Sequence, residues 1–218
     1  LEAGGSDRNF WLKLPVGYYR TIYNERFSRL FRTEPCEGTG GRAIVWPRGR
    51  VIGGSSSING LIFIRGQHED FDDWERLGAT GWSYRDVLPY FRRYERYRGG
   101  ESQYHGGFGE FEVSELRNDN RASAAWIDAG VEFGLPRNPD FNAETTLGVG
   151  SYQLGIGRHW RSSSASAFLQ PVADRPNLTI VTGAQVSKVV FKGSAASGVE
   201  WVRAGKIAMA SADREVIL

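Results

Sequence analysis

This sequence has little cysteine and no large excess of positive or negative charge. Cys36 is the single cysteine among 218 residues, which excludes an internal disulfide, and 27 basic against 25 acidic side chains give a net charge of +2. A nearly neutral chain lacks the electrostatic footprint of a nucleic-acid-binding protein. No apolar run approaches the about 20 residues of a membrane-spanning helix. We therefore expect a soluble, cytoplasmic protein with neither a nucleic-acid partner nor a transmembrane segment.

Several catalytic patterns are absent as well. The chain has no Gly-Lys-Ser/Thr sequence to end a P-loop and no Gly-x-Ser-x-Gly nucleophile elbow. Its three histidines, His68, His105 and His159, are scattered along the chain and provide no zinc-binding spacing with the one cysteine. Each histidine is expected to be a surface or loop side chain without a catalytic role. No metal site is predicted.

Glycine and serine, by contrast, are concentrated in residues 49–60, whose sequence is GRVIGGSSSING. Adjacent glycines at Gly53 and Gly54 let backbone N–H groups approach a bulky anion, because no Cβ stands in the way. The three serines that follow carry hydroxyls that can donate to phosphate or sugar oxygens, and the apolar run 62–64 is expected to anchor the stretch in a core. This pattern predicts a phosphate or nucleotide cradle. The alternative is a flexible Gly/Ser linker, although linkers are rarely framed by apolar residues on both sides.

A second glycine pattern, Gly38-x-Gly40-x-x-Ala43, matches the dinucleotide-binding fingerprint by letter only. Pro35 precedes it and Pro47 follows shortly after, so the strand-to-helix context that the fingerprint requires is missing. We interpret this segment as a turn joining two short strands near 31–33 and 43–45.

The surroundings of the glycine-serine stretch resemble a known family. The stretch is preceded by WPR at 46–48 and followed by RG at 65–66 and DFDDW at 70–74. In this order and spacing, the residues resemble the first signature of the glucose–methanol–choline (GMC) flavoprotein oxidoreductases, and most of all the choline-dehydrogenase-like branch. The resemblance extends over nearly the whole chain.

The resemblance implies that the chain binds FAD. The stretch would follow the pyrophosphate and ribityl chain, an acidic side chain at a strand end would accept hydrogen bonds from the adenosine ribose, and a backbone segment would lie against the adenine. In choline oxidase, a histidine just before the signature asparagine is bonded covalently to the flavin. Ile58 stands at that position, so we expect noncovalent binding. The cofactor-binding residues implied are Glu2, Arg50, Gly53, Gly54, Ser55, Ser56, Asn59, Gly60 and Val186.

The activity implied is the oxidation of a primary alcohol, either choline-like or an aromatic or aliphatic alcohol, by hydride transfer to flavin N5. The family's proton-accepting histidine lies near its C-terminus, so no catalytic residue is expected in this chain, and the chain alone is expected to be inactive. Two alternatives stay open. One is a noncatalytic nucleotide-binding remnant, and the other is a lyase or photodecarboxylase of the same family.

The fold implied is α/β with mixed α+β character. It combines a partial Rossmann-like FAD-binding domain with an inserted antiparallel-sheet substrate domain. Because the chain begins with Leu1 in what resembles a strand end, we expect an internal piece of a longer protein, truncated at both ends. The expected division is 1–47 FAD-binding domain, 48–104 signature loop and covering helices, 105–157 substrate-side domain, and 158–218 return to the FAD-binding domain.

Hydrophobic periodicity and capping residues predict the individual elements. Helices are predicted at 68–77, from an N-cap at Ser83, at 122–133, and from a cap at Ser162 or Ser163. The strands predicted after the first turn are 110–114, 148–157, 178–182, 185–191, 196–203 and 215–218. Residues 10–31 lack clean periodicity and are interpreted as an irregular segment with short helical turns.

Overall fold

A computed structural model describes residues 1–116 and 120–218 of the chain. The chain forms two compact units, one comprising Leu1–Asn59 with Ser164–Leu218 and the other Gly60–Ser163. The mixed helix and strand content predicted from the sequence is confirmed. The four-part division into 1–47, 48–104, 105–157 and 158–218 stays a prediction.

The first unit opens with short helical turns, as the irregular pattern of residues 10–31 predicts. Helices α1 (Phe10–Lys13) and α2 (Tyr18–Thr21) have four residues each. They are followed by the antiparallel strands β1 (Ser28–Arg32) and β2 (Val45–Gly49). Between these strands, Gly40 ends a short 3-10 turn with a φ of 63°. The interpretation of this segment as a turn between two strands is therefore confirmed.

The C-terminal part of the first unit is a three-stranded antiparallel sheet in the order β7 (Gln185–Lys192), β8 (Ala195–Arg203) and β9 (Lys206–Ser211). The first two strands match the prediction. The predicted strand at 215–218 is wrong, because those residues lie outside any strand and the third strand is β9.

The segment before this sheet also differs from the prediction. Residues 178–182 were expected to form a buried strand, but they contribute one parallel bridge, from Thr182 to Glu2, and Ile180 is 40% exposed. The helix expected after Ser162 or Ser163 is a π-helical turn, Ala165–Leu169, and Ser164 is the residue at its N-cap position. The cap prediction was therefore wrong by one or two residues.

The second unit is built around two helices. Helix α3 (His68–Arg76) begins with a capping box formed by Gln67 and Asp70, and helix α4 (Tyr84–Tyr94) begins after Ser83. Both starts agree with the prediction. The two helices pack through a core of buried aromatic and aliphatic side chains, namely Phe71, Tyr84 and Val87.

The strands of the second unit are short. Strand β3 (Ile62–Phe63) pairs antiparallel with β6 (Gln153–Leu154), and β4 (Glu95–Tyr97) pairs parallel with β5 (Phe111–Val113). The strand predictions at 110–114 and 148–157 therefore hold for the centres of those segments only. Helix α5 (Arg121–Glu132) confirms the helix predicted at 122–133. Within the described ranges, no helix combines the length and apolar character that crossing a membrane requires.

Candidate functional site

The glycine-serine stretch leaves β2 in a tight loop. The Gly49 N–H donates to Ser55 Oγ at 3.0 Å, and a Cβ on Gly49 would lie 2.2 Å from the Gly54 carbonyl carbon. Only a glycine permits this close backbone approach. The sequence therefore forms a compact loop here instead of a flexible linker.

Gly53 and Gly54 both adopt left-handed backbone conformations, with φ of 87° and 54°. A Cβ on Gly53 would lie 2.4 Å from Ser57 Oγ and 2.9 Å from Ala165 Cβ. A Cβ on Gly54 would meet no atom of the described chain within 4 Å. The loop therefore has a packed side at Gly53 and an open side at Gly54.

The packed side continues into the core of the first unit. Ile58 is 2% exposed and Val51 is 1% exposed, and they cluster with Leu12 and Phe27. These residues anchor the loop. Of the run 62–64, which was expected to do so, Ile62 is 54% exposed and Ile64 47% exposed, and only Phe63 is half-buried, where it stacks on Phe111 in the second unit.

The serine hydroxyls stabilise the loop itself. Ser56 Oγ donates to the Gly53 carbonyl at 2.6 Å, and Ser57 Oγ donates to the Ile52 carbonyl at 2.9 Å. Ser55 Oγ accepts the Gly49 N–H. The expectation that all three hydroxyls donate to a ligand is therefore wrong for Ser57, which is 1% exposed, and the structure gives Ser56 an internal acceptor as well.

The remaining predicted residues of the loop lie at the surface. Arg50, Ser55 and Asn59 are exposed, and Gly60, the first residue of the second unit, is exposed as well. The Asn59 backbone N–H donates to the Ser55 carbonyl at 2.9 Å, which closes the turn.

Two predicted cofactor contacts lie elsewhere in the first unit. Glu2 is half-buried, and its Oε1 accepts a hydrogen bond from the Gly4 N–H at 2.6 Å. This contact fixes the carboxylate beside the first residues of the chain. Val186 is half-buried in β7, where it pairs with Trp201 of β8.

The second unit holds a buried ionic cluster that the sequence did not predict. Arg65 Nη2 donates to Glu95 Oε2 at 2.8 Å, and Glu95 is fully buried. His105 is 2% exposed and bridges two carboxylates, with Nδ1 3.0 Å from Glu95 Oε1 and Nε2 2.8 Å from Asp140 Oδ2. His105 does lie in a loop, as expected, but it is buried, so the expectation of a surface side chain is wrong.

The two carboxylates keep the His105 imidazole charged. Burial alone would lower the pKa of His105, but the hydrogen bonds with Asp140 and Glu95 outweigh it and raise that pKa to about 9. Burial alone would raise the pKa of Asp140, but hydrogen bonds from His105 and Gln153 lower it to about 2. Near neutral pH His105 is therefore an imidazolium, and it is not poised to accept a proton from a substrate.

The other histidines have different surroundings. His68 stacks on Tyr84 with ring centroids 3.5 Å apart, and its Nε2 lies 3.1 Å from the Ala143 carbonyl oxygen. It lines a cavity of about 270 Å³ in the second unit. His159 is exposed, as predicted. Within residues 1–116 and 120–218, no group of three His, Cys, Asp or Glu side chains is arranged to hold a metal ion.

Comparison with known proteins agrees with this architecture. The oxygen-dependent choline dehydrogenase of Photobacterium profundum is 40% identical over 221 residues, covering 100% of this chain and 39% of that protein. Pyridoxine 4-oxidase from Mesorbium loti has a similar structure, with a TM-score of 0.90 at 32% identity over 97% of this chain and 42% of that one. An FAD-dependent oxidoreductase from Chaetomium thermophilum matches with a TM-score of 0.86 at 27% identity, over 97% of this chain and 39% of that one.

The chain therefore spans about two fifths of the length of these relatives. The family model for GMC oxidoreductases matches residues 19–218, which include the loop at 49–60, the helices α3 and α4 and the C-terminal sheet. On this evidence, the chain belongs to the GMC oxidoreductase family.

Proposed function

We propose that the first unit binds FAD along the open side of the glycine-serine loop, in a protein that oxidises a primary alcohol. The observation that carries this proposal is the pair of left-handed glycines, of which Gly54 has open space where a side chain would stand. Such a backbone suits the close approach of a pyrophosphate. The residues in the first unit proposed to hold the cofactor are Glu2, Arg50, Gly53, Gly54, Ser55, Ser56, Asn59 and Val186.

These residues would act in different ways. The exposed Arg50 guanidinium and the exposed Ser55 and Asn59 side chains offer hydrogen-bond donors to anionic and polar groups. The Glu2 carboxylate, oriented by the Gly4 N–H, would accept hydrogen bonds from ribose hydroxyls. Gly60 stays a predicted contact from the first residue of the second unit.

Bound FAD would supply the hydride acceptor for alcohol oxidation. The chain's own histidines offer no proton acceptor of the kind this reaction requires. His105 is held as an imidazolium between two carboxylates, and His68 and His159 match no catalytic position of the family. We propose that the proton acceptor is supplied by residues other than these 218.

We further propose that the flavin is bound noncovalently. Ile58 offers no nucleophile and is buried in the core with Leu12 and Phe27. Acid precipitation of the whole protein should therefore release the yellow flavin into the supernatant. Colour retained in the washed pellet would contradict noncovalent binding.

The substrate class is tested with the whole protein under anaerobic conditions. We expect choline or an aromatic or aliphatic primary alcohol to bleach the visible absorbance of the bound flavin, because hydride transfer reduces it. A protein that retains flavin but is bleached by none of these alcohols, while dithionite still reduces it, would contradict alcohol oxidation. A protein that binds no flavin would contradict the cofactor assignment itself.

A further inference from the structure

A hydrogen-bonded bridge connects the glycine-serine loop to a residue 108 positions later in the sequence. The Ser164 backbone N–H donates to Ser56 Oγ at 2.9 Å, and the two hydroxyl oxygens lie 2.9 Å apart. Ser164 Oγ also lies 3.1 Å from the Gly53 carbonyl oxygen, which accepts the Ser56 hydroxyl at 2.6 Å. Two serine hydroxyls thus converge on one carbonyl.

Steric contact reinforces this bridge. A Cβ on Gly53 would lie 2.9 Å from Ala165 Cβ and 3.2 Å from the Ala165 nitrogen, so Ala165 is packed against the Gly53 backbone. Because the peptide between Gly53 and Gly54 is planar, fixing the Gly53 carbonyl also fixes the plane that leads into Gly54. Contacts from Ser164 and Ala165 therefore determine how the open side of the loop is oriented.

The segment that provides these contacts is anchored at both ends within the first unit. Ser164 precedes the π-helical turn Ala165–Leu169, which the Gln170 N–H closes on the Ala165 carbonyl. The Gln170 side chain then donates to Asp7 Oδ2 at 3.1 Å. π-Helical turns are rare and frequently occur at functional sites. This turn therefore presents Ser164 and Ala165 to the loop on a segment with fixed ends.

We propose that Ser164 is a positioning residue for the flavin-binding loop. Its backbone N–H and hydroxyl hold Ser56 and the Gly53 carbonyl, so that Gly54 keeps its open, left-handed conformation before the flavin binds. This proposal rests on the proposed function. It refines the role proposed above for Ser56, which serves the cofactor site by linking the loop to Ser164 instead of donating directly to phosphate.

The test is the flavin dissociation constant of the whole protein and of its Ser164→Ala variant, measured on apoprotein that has been titrated with FAD. We expect the variant to bind FAD about tenfold more weakly, which corresponds to about 1.4 kcal/mol. Ser164→Thr retains the hydroxyl and should restore most of the affinity. Ser187→Ala is the matched control, because Ser187 also donates within the first unit, to Glu200 at the exposed sheet, and its loss should leave the flavin affinity unchanged.

A second measurement separates positioning from direct contact. If Ser56 acts through Ser164, the double variant Ser56→Ala/Ser164→Ala should lose less affinity than the sum of the two single losses. Strictly additive losses would overturn the proposal, and so would unchanged affinity in Ser164→Ala while the wild type binds FAD. Absence of FAD binding in the wild type would instead contradict the proposed function. If Ser164→Ala fails to fold, Ser164→Thr and Ser56→Ala provide the test. We then expect Ser164→Thr to keep most of the FAD affinity and Ser56→Ala to lose affinity, and wild-type affinity in both variants would overturn the proposal.

Discussion

Gly53 and Gly54 are adjacent glycines with opposite surroundings, and a methyl group should affect them differently. Gly53→Ala forces a Cβ to within 2.4 Å of Ser57 Oγ and 2.9 Å of Ala165 Cβ at a φ of 87°. Strain at this φ and overpacking together should lower the free energy of unfolding by about 2–4 kcal/mol. The measurement is a thermal melt of the whole protein beside the wild type.

Gly38→Ala is the control for that substitution. A Cβ at Gly38 would meet nothing within 4 Å, and Gly38 is not among the residues with positive φ. Its replacement should change the stability by less than about 1 kcal/mol, because alanine adopts such a conformation without strain. Equal melts for Gly53→Ala and Gly38→Ala would show that Gly53 is not packed as described.

The buried His105 makes the stability of the second unit depend on pH. Its folded pKa of about 9 lies above the ordinary value of 6.5, so its stabilising contribution is complete below about pH 6.5 and is lost as the pH rises through about 9. The shift corresponds to a contribution on the order of 3 kcal/mol. Thermal melts from about pH 6 to about pH 10 should therefore show a loss of stability that His105→Gln lacks.

His159→Gln is the matched control, because it replaces an exposed histidine. We expect this variant to lose stability at alkaline pH to the same extent as the wild type. Asp140 makes the stability depend on pH in the opposite direction. Its pKa is lowered from 3.8 to about 2, so its contribution to the free energy of unfolding is lost as the pH falls through about 2. If His105→Gln and the wild type lose stability in parallel on the alkaline side, the charged bridge between Glu95 and Asp140 is not formed.

The glycines of the loop are evident from the sequence, but the distant hydrogen-bond partner of the neighbouring Ser56 is not. Gly53 and Gly54 stand out because they are adjacent glycines followed directly by three serines. The contact between Ser56 and Ser164 joins positions 108 residues apart, and no local signal in the sequence indicates it. The same limit applies to His105, whose carboxylate partners are 10 and 35 residues distant.

At the scale of elements, the turn between β8 and β9 carries a strained residue. Ala204 has a φ of 48° and is followed by Gly205 with a φ of 76°, a pair typical of a type I′ hairpin turn, which favours Asn-Gly. Ala204→Asn should therefore stabilise the protein by about 0.5–1 kcal/mol, because asparagine tolerates the left-handed region better than alanine. Chemical denaturation measures this difference.

Ala195→Asn provides the comparison, since Ala195 is the exposed first residue of β8 and has no positive φ. Asparagine is disfavoured in strands, so this control should not stabilise the protein. A lower midpoint for Ala204→Asn than for the wild type would contradict the turn geometry.

The elements that could be predicted are those with strong periodicity or clear caps. Helices α3, α4 and α5 and strands β7 and β8 have such signals. Strand β9 has the sequence KIAMAS, with a single β-branched residue, so it lacks the composition of a typical strand. The segment 215–218 has that composition, but propensity alone does not provide a partner strand.

At the scale of the whole molecule, the family and fold class followed from one ordered motif, whereas the individual contacts that join the two ends of the chain did not. The first unit combines residues from both ends of the chain, Leu1–Asn59 and Ser164–Leu218. Bridges such as Glu2 to Thr182 and Gly5 to Val51 create this arrangement. They join residues far apart in sequence, which periodicity cannot reveal.

The flavin content per protein after desalting tests most directly whether the open side of Gly54 receives the flavin. Gly54→Val places a branched side chain in that space, and losing two charge-assisted contacts of about 1.5–3 kcal/mol each should weaken FAD binding by one to several orders of magnitude. Gly40→Val is the matched control for backbone strain, because Gly40 also has a positive φ, 63°, and open space around its Cβ position. We predict that Gly54→Val contains little flavin after desalting, whereas Gly40→Val retains its flavin. Full flavin occupancy in Gly54→Val, with an unchanged melt, would contradict the account.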